Sequence, residues 1–397
     1  MKKILLLLVF LFTISCSTTE EILPGFVPDF ITNYFKDEVL PYKELPEFIS
    51  ETKIDLIWTN SFPGEIKNKD SFLNLYRLDD DIYIPTNENK VHIVSLESGN
   101  LKKSIDIELD IFSGIIVDSN LIYFGSKQDT VTALKHADGS VLWQRLMSSE
   151  IMSISRSIYD NAIYIRTNDS KIVAIDVTTG KFLWANSQSP ESLSIRGASG
   201  ALIDDDKVYV GYDGGKIVAY NSLSGDLVWQ VKLQAIKTET VIDRLNDIDG
   251  SMIIDNGVLF AISYQGSIAA IDSFSGQVLW TREASSLYGL EENDDNIFYI
   301  DDAGILWCLD KVSGRPVWKQ EELFKRLTGE PVLYNNFIIA RDIENYLHIM
   351  SPDDGKLIGR IKTKNQIQSI YSDFSSLYFL EKDFSLKRYE INKILQE

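Results

Sequence analysis

The sequence predicts an all-β chain folded as an eight-bladed β-propeller of four-stranded antiparallel blades. Three observations point there. A glycine-centred turn recurs seven times at a period near 40 residues, a tryptophan follows that glycine by four residues in five copies, and a solitary strand near the N-terminus matches an incomplete unit at the C-terminus.

The chain begins "MKKILLLLVFLFTISCSTTE": two lysines, an apolar run from Ile4 to Phe12, then small and polar residues ending at Cys16. Such a run is too short to span a bilayer stably and reads as a secretory signal over residues 1–15. Cys16 stands where a lipoprotein signal places its acylated cysteine, after a small Ser15, with Thr13 in place of the usual leucine. An ordinary signal peptide with an incidental Cys16 is the alternative. Ser17 rather than aspartate favours sorting to the outer membrane in a Gram-negative cell. Residues 16–53 carry four prolines and mixed charge without alternation, and are expected to form a lipidated tether ahead of a propeller over 54–397.

The repeats follow. "ALKHADGSVLW", "AIDVTTGKFLW", "AYNSLSGDLVW", "AIDSFSGQVLW" and "CLDKVSGRPVW" end at Trp143, Trp184, Trp229, Trp280 and Trp318, while weaker copies around Gly99 and Gly355 lack the tryptophan. Each glycine follows Ser, Thr or Asp between two alternating runs, the mark of a hairpin turn needing positive φ. Sixteen residues before each glycine stands Tyr83, Tyr123, Tyr164, Tyr209, Phe260, Phe298 or Ile339, within an inner strand. Six before it stands Ala133, Ala174, Ala219, Ala270 or Cys308, so Cys308 is expected in a small-residue core slot without chemistry. Each tryptophan is expected to wedge between neighbouring blades. After the seventh glycine come "SSLYFLEK" and "FSLKRYEIN", but no outermost strand. "IDLIWTNSF" at 54–62 supplies one, closing the ring and hiding its edges. A seven-bladed ring with a free N-terminal segment is the alternative.

Spacings between turn glycines are 40, 41, 45, 51, 38 and 41, so two consecutive units are long. The extra residues lie in "SPESLSIRGASG" (189–200) and "TETVIDRLNDIDGS" (238–251), at equivalent connections of adjacent blades, and are expected to be neighbours on one rim. Leu193 and Ile195 are apolar, Arg196 offers a planar fork of donors, and Asp247 and Asp249 are acceptors two apart, a composition suited to a protein-binding surface. The residues leave a second reading open, in which Arg196 or Arg244 pairs with a loop carboxylate and merely braces the rim. Calcium at Asp247 and Asp249 is not expected, since the other alternating ligands of a calcium loop are missing.

A formal charge of -19 repels phosphate backbones, and no basic patch offsets it, so no nucleic-acid partner is expected. With Cys16 set aside as the acylated residue, Cys308 is the one cysteine left, so no internal disulfide is expected. Three histidines, at 92, 136 and 348, are each expected at a solvated strand position and offer no metal cluster and no catalytic relay.

With these features in hand, the chain resembles the BamB family of outer-membrane assembly lipoproteins, whose propeller is of the pyrroloquinoline-quinone-repeat class. "IDRLNDID" is very similar to that family's signature loop and "LSIRGAS" to its second loop. "GVLFAISYQGSIAAIDSFSGQVLW" and "PVLYNNFIIARDIENYLHIM" extend the likeness, which covers nearly all of 54–390. The resemblance implies a noncatalytic scaffold, without cofactor, whose two loops contact a periplasmic POTRA domain of a BamA-like barrel protein. Leu193 and Ile195 match the family's apolar contact positions, Arg196 its arginine, and Asp247 and Asp249 its acidic contacts, while Asp243 and Arg244 match the signature loop. It further implies anchoring at the periplasmic face of the outer membrane through Cys16, and a surface offered to unfolded barrel substrates. Two rival classes use the same repeat. A quinone-dependent dehydrogenase resembles its kin in an adjacent cysteine pair and a calcium site, both lacking here. A carbohydrate- or peptide-binding propeller would need a concave aromatic cluster.

Overall fold

A computed structural model of the protein describes residues 42–63, 74–86, 88–157, 159–189, 199–233, 246–373 and 375–394. Among them, 32 strands form eight four-stranded antiparallel sheets arranged as the blades of a propeller. Blades one to seven are continuous in sequence, spanning 76–106, 111–146, 151–187, 202–232, 253–284, 291–320 and 327–362. In each, the first strand lies nearest the axis and the fourth lies outermost. Blade eight takes three strands from the C-terminus, Ile367–Ser372, Leu377–Glu381 and Ser385–Lys393, and its outermost strand from Thr52–Ser61. That N-terminal strand pairs with the C-terminal one from Thr52↔Lys393 to Ser61↔Ser385. The expected closure by both chain ends is therefore what the fold contains, and all eight blades are present.

Second strands such as Leu121–Ser126 and Ala162–Thr167 are buried along their whole length, because a neighbouring blade covers each of their faces. Outer strands behave differently. Val141–Leu146, Phe182–Ser187 and Leu227–Lys232 share one pattern in which the third residue, tryptophan, is buried between exposed neighbours. The register between third and fourth strands shifts beside each of these tryptophans, for example between Ala174 and Ile175 opposite Trp184 and Phe182. This bulge leaves Phe182 and Leu183 both at the surface and turns the next ring inward, which explains why "FLW" and "VLW" break simple alternation.

The buried tryptophan holds two blades together. Trp184 tilts against Tyr164 of its own blade with centroids 5.7 Å apart, and its Nε1 donates to Ser222 O of the next blade at 2.8 Å. The pattern recurs from Trp143 to Val177 O, Trp229 to Ser273 O, Trp280 to Lys311 O and Trp318 to Pro352 O. Such ring pairs contribute roughly 0.5–1.5 kcal/mol beyond the area they bury. The next blade's turn glycine lies flat on the ring: a Cβ on Gly225 would stand 2.6 Å from Trp184, and its φ is 75°. Glycine is thus required there twice over, by its left-handed backbone and by the approach of the indole. Opposite each tryptophan in the register sits the small residue of the repeat, Ala133, Ala174, Ala219, Ala270 or Cys308. Cys308 is fully buried, and burial pushes its thiol up to about 12, so it packs without reacting.

Blades lacking the tryptophan solve the contact in other ways. In blade one Lys103 takes the position, and its Nζ donates to Ala137 O in the turn of blade two at 2.6 Å, while Ile105 covers Gly139. In blade seven the position is Gly359, and Thr52 of the closing strand fills the space, its Oγ1 donating to Ile358 O at 3.1 Å. Trp58 of that closing strand rests on Gly99 of blade one, so ring closure repeats the ring-on-glycine contact of the five tryptophan junctions.

Two features depart from the sequence reading. The final part of the expected tether, residues 42–51, lies against blades six and seven: Lys43 N donates to Phe324 O at 3.2 Å, Arg326 Nη1 to Lys43 O at 2.9 Å and Arg360 Nη2 to Pro46 O at 3.0 Å. The Arg326 and Arg360 guanidinium groups stand over the rings of Tyr42 and Phe48 at 4.9 and 4.8 Å. The histidines also differ, since only His136 is partly solvated. His348 is fully buried with Nε2 3.1 Å from Asp342 Oδ2, and His92 is buried with Nδ1 2.9 Å from Ser104 Oγ. Both lie on third strands, which the adjacent blade covers. Burial presses the pKa of each below the ordinary histidine range.

Candidate functional site

Cys16, Leu193, Ile195, Arg196, Asp243 and Arg244 lie outside the described residues, while Asp247 and Asp249 lie within them. The roots of both expanded connections are described, and they meet. The first leaves the outer strand of blade three at Ser187. Gln188 follows, its Nε2 donating to Tyr220 Oη at 2.9 Å and its Oε1 accepting from Lys216 Nζ at 3.0 Å. Where that connection returns, Ser199 Oγ donates to Ile248 O at 3.3 Å, so a residue at the root of one connection bonds directly to a residue at the root of the other. The second connection is closed at its neck, where Asn246 Nδ2 donates to Leu233 O at 2.9 Å.

The two aspartates do different work. Asp247 is 1% exposed, and its Oδ1 accepts from Gly214 N at 3.1 Å, pinning the turn between the second and third strands of blade four. In this structure Asp247 shapes the root and is not at the surface. Asp249 is partly buried, and its Oδ2 lacks a hydrogen-bond partner among the described residues. Burial first, then the nearby Asp247 and Asp213, pushes its carboxyl up to about 7 against the opposing pull of Arg166.

Asp249 also opens on the axis. With Ser251, Tyr288, Glu330, Arg341 and Tyr371 it lines a cavity of about 450 Å³ built from the approaches to blades one, five and six, the first strands of blades seven and eight, and the second strand of blade seven. Glu330 accepts a hydrogen bond from Ser251 Oγ. Its side chain is exposed to that cavity, yet protein surrounds it on the other sides, and desolvation raises its carboxyl to about 7.

Sequence reasoning missed Arg166, the buried centre of this region. It is 4% exposed, donates from Nη1 to Gly211 O of the next blade, and holds its guanidinium 4.5 Å from the Tyr212 ring. The signal was available: an arginine in "AIYIRT", a strand otherwise reading as continuous core, where equivalent strands carry Gly125, Gly211 or Ile262. Arg341 occupies the matching place in blade seven and likewise reaches forward, to Ile367 O and Gln368 O, both at 3.0 Å.

Repeat, ring closure and inter-blade tryptophans together define an eight-bladed propeller with its elaboration concentrated at blades three to five. The family model described as outer membrane protein assembly factor BamB matches residues 87–320. Outer membrane protein assembly factor BamB of Salmonella typhimurium strain LT2 is 33% identical over 337 residues, covering 82% of this chain and 86% of that protein. Its counterpart from Legionella pneumophila strain Paris is 31% identical over 360 residues, covering 90% and 91%. The chain belongs to the BamB family. The crystal structure of BamB from Moraxella catarrhalis shares the fold with a TM-score of 0.76 at 22% identity, over 85% of this chain and all of that one. A quinohemoprotein alcohol dehydrogenase from Comamonas testosteroni shares it with a TM-score of 0.65 at 12% identity, over 87% and 78%, a likeness of fold alone.

Proposed function

We propose that this protein is a noncatalytic scaffold lipoprotein of outer-membrane β-barrel assembly, held at the periplasmic face of the outer membrane through Cys16. Its two expanded connections bind a POTRA domain of a BamA-like barrel protein. Membership of a family whose relatives are named outer membrane protein assembly factors supports the general role. The observation that carries the finer reading is the hydrogen bond between Ser199 and Ile248, which joins the roots of the two connections into one site. In this reading Leu193, Ile195 and Arg196 supply contact, with Asp243 and Arg244 beside them. Asp247 is buried and acts by holding the loop, and Asp249 sits between the loop and the axial cavity. Unfolded barrel segments are further candidates for the propeller's surface, where outer strands expose Leu146, Phe182 and Leu227.

Reversing the charge at Arg196 tests the reading, because a guanidinium flanked by apolar residues typically dominates such a surface. Arg196→Glu is expected to abolish co-purification with the BamA-like protein from solubilised membranes while leaving the melting temperature within about 2 °C, as for a surface change. Retained binding with a large loss of stability would instead make Arg196 a brace of its own loop.

A further inference from the structure

We propose that Arg166 is a positioning residue that sets both expanded connections at once, so that the two halves of the partner surface are presented as one coupled unit. This rests on the reading of those connections as the partner surface. Arg166 itself lies in the second strand of blade three, away from either connection, and touches no partner.

A continuous set of contacts runs through it. From the first connection, Gln188 Nε2 donates to Tyr220 Oη at 2.9 Å, and Tyr220 Oη lies 3.3 Å from Tyr212 Oη. The Tyr212 ring carries the Arg166 guanidinium at 4.5 Å. Arg166 Nη1 then donates to Gly211 O, and Gly211 is the crossing point of the site. A Cβ there would stand 2.5 Å from Ile248 Cγ2 and 3.0 Å from Ser199 Oγ, so the returning roots of both connections press on the residue that Arg166 holds. Ile248 is flanked by Asp247, tied to Gly214, and by Asp249, whose carboxylate opposes the buried cation.

The arrangement is one in which a change at the centre reaches both ends. Arg166 is 4% exposed, and its Nε has no hydrogen-bond partner among the described residues. Its charge is held by Tyr212, Asp213 and Asp249 against desolvation. Removing that charge leaves Asp249 with acidic neighbours and no opposing cation, frees Gly211 O, and unloads the Tyr212 ring. An alkyl chain of similar length keeps the packing and removes only these electrostatic ties.

The test uses the full chain and the purified POTRA fragment of the organism's BamA-like protein as probe. Arg166→Met is expected to accelerate amide hydrogen exchange in 188–201 and in 233–250 together, and to weaken POTRA binding about 10-fold, a typical coupling. Tyr212→Phe, which keeps the ring, is expected to accelerate exchange in 188–201 while leaving 233–250 unchanged. Faster exchange in only one segment of Arg166→Met, or no selective change in Tyr212→Phe, would overturn the coupling. Should both segments loosen while POTRA binding survives in Arg166→Met and Arg196→Glu alike, the partner assignment fails and the coupling stands. Should Arg166→Met not fold, the Tyr212→Phe result decides.

Discussion

Removal of every residue up to Ser61 is expected to cost the protein its cooperative melt and to drive it into oligomers. The deletion takes away the outermost strand of blade eight, whose pairing runs from Thr52↔Lys393 to Ser61↔Ser385. It exposes the backbone of Ser385–Lys393, an unpaired edge of nine residues open to pairing with another chain. It also removes Trp58 from Gly99, and so the junction between the last blade and the first. Loss of one fully buried aromatic typically costs about 3–5 kcal/mol; Trp58 is half-buried and contributes less, but a whole strand goes with it, so destabilisation above about 5 kcal/mol is expected. Thermal melting and size-exclusion chromatography read both effects. A monomer with an unchanged melting temperature would mean that seven blades hold the ring without closure.

Asp249→Asn is expected to stabilise the protein at pH 8 and to do so progressively less towards pH 5. In the fold, Asp249 keeps its proton up to about pH 7, whereas its unperturbed value is 3.8. Between those values the folded chain binds a proton that the unfolded chain has released, so the contribution of Asp249 to stability falls as pH rises and levels off above about 7. Asparagine resembles the protonated acid at every pH. The gain over wild type should therefore be near zero at pH 4 and full at pH 8, roughly 2–4 kcal/mol after allowance for the partial exposure of the group. Taking the difference between variant and wild type cancels the titration of Glu330 and His348. Equal melting shifts at pH 5 and pH 8 would show that Asp249 is ionised throughout.

Much of this architecture was legible because each blade repeats the same solution to the same packing problem. Trp184, Ala174, Gly180 and Tyr164 recur at fixed offsets since the ring needs a small residue opposite, a partner ring beside it and, in the next unit, a glycine beneath it. Spacing alone also located the two expanded connections, and their roots do touch at Ser199 and Ile248. What escaped were contacts between residues far apart in sequence. Residues 42–51 lack alternation because their backbone carbonyls bond to Arg326 and Arg360, some 300 positions on, rather than to a sheet. His348 looked like a surface residue because alternation along its strand does not reveal that an adjacent blade covers it, where Asp342 meets its ring. Arg166 stood out only as a charge in a core strand, and its meaning depends on Gly211 O, 45 residues later. Asp247 and Asp249 matched a motif together, yet one holds a turn and the other faces a cavity, a distinction that side-chain direction makes and spacing does not.

Site-specific photocrosslinking in intact membranes tests the partner surface most directly. A photoreactive residue in place of Ile195 is expected to capture the BamA-like barrel protein through its POTRA region. The same residue in place of Leu101, exposed on the outer strand of blade one, is expected to capture none. Equal capture from both positions, or capture from Leu101 alone, would contradict a partner site at the two connections.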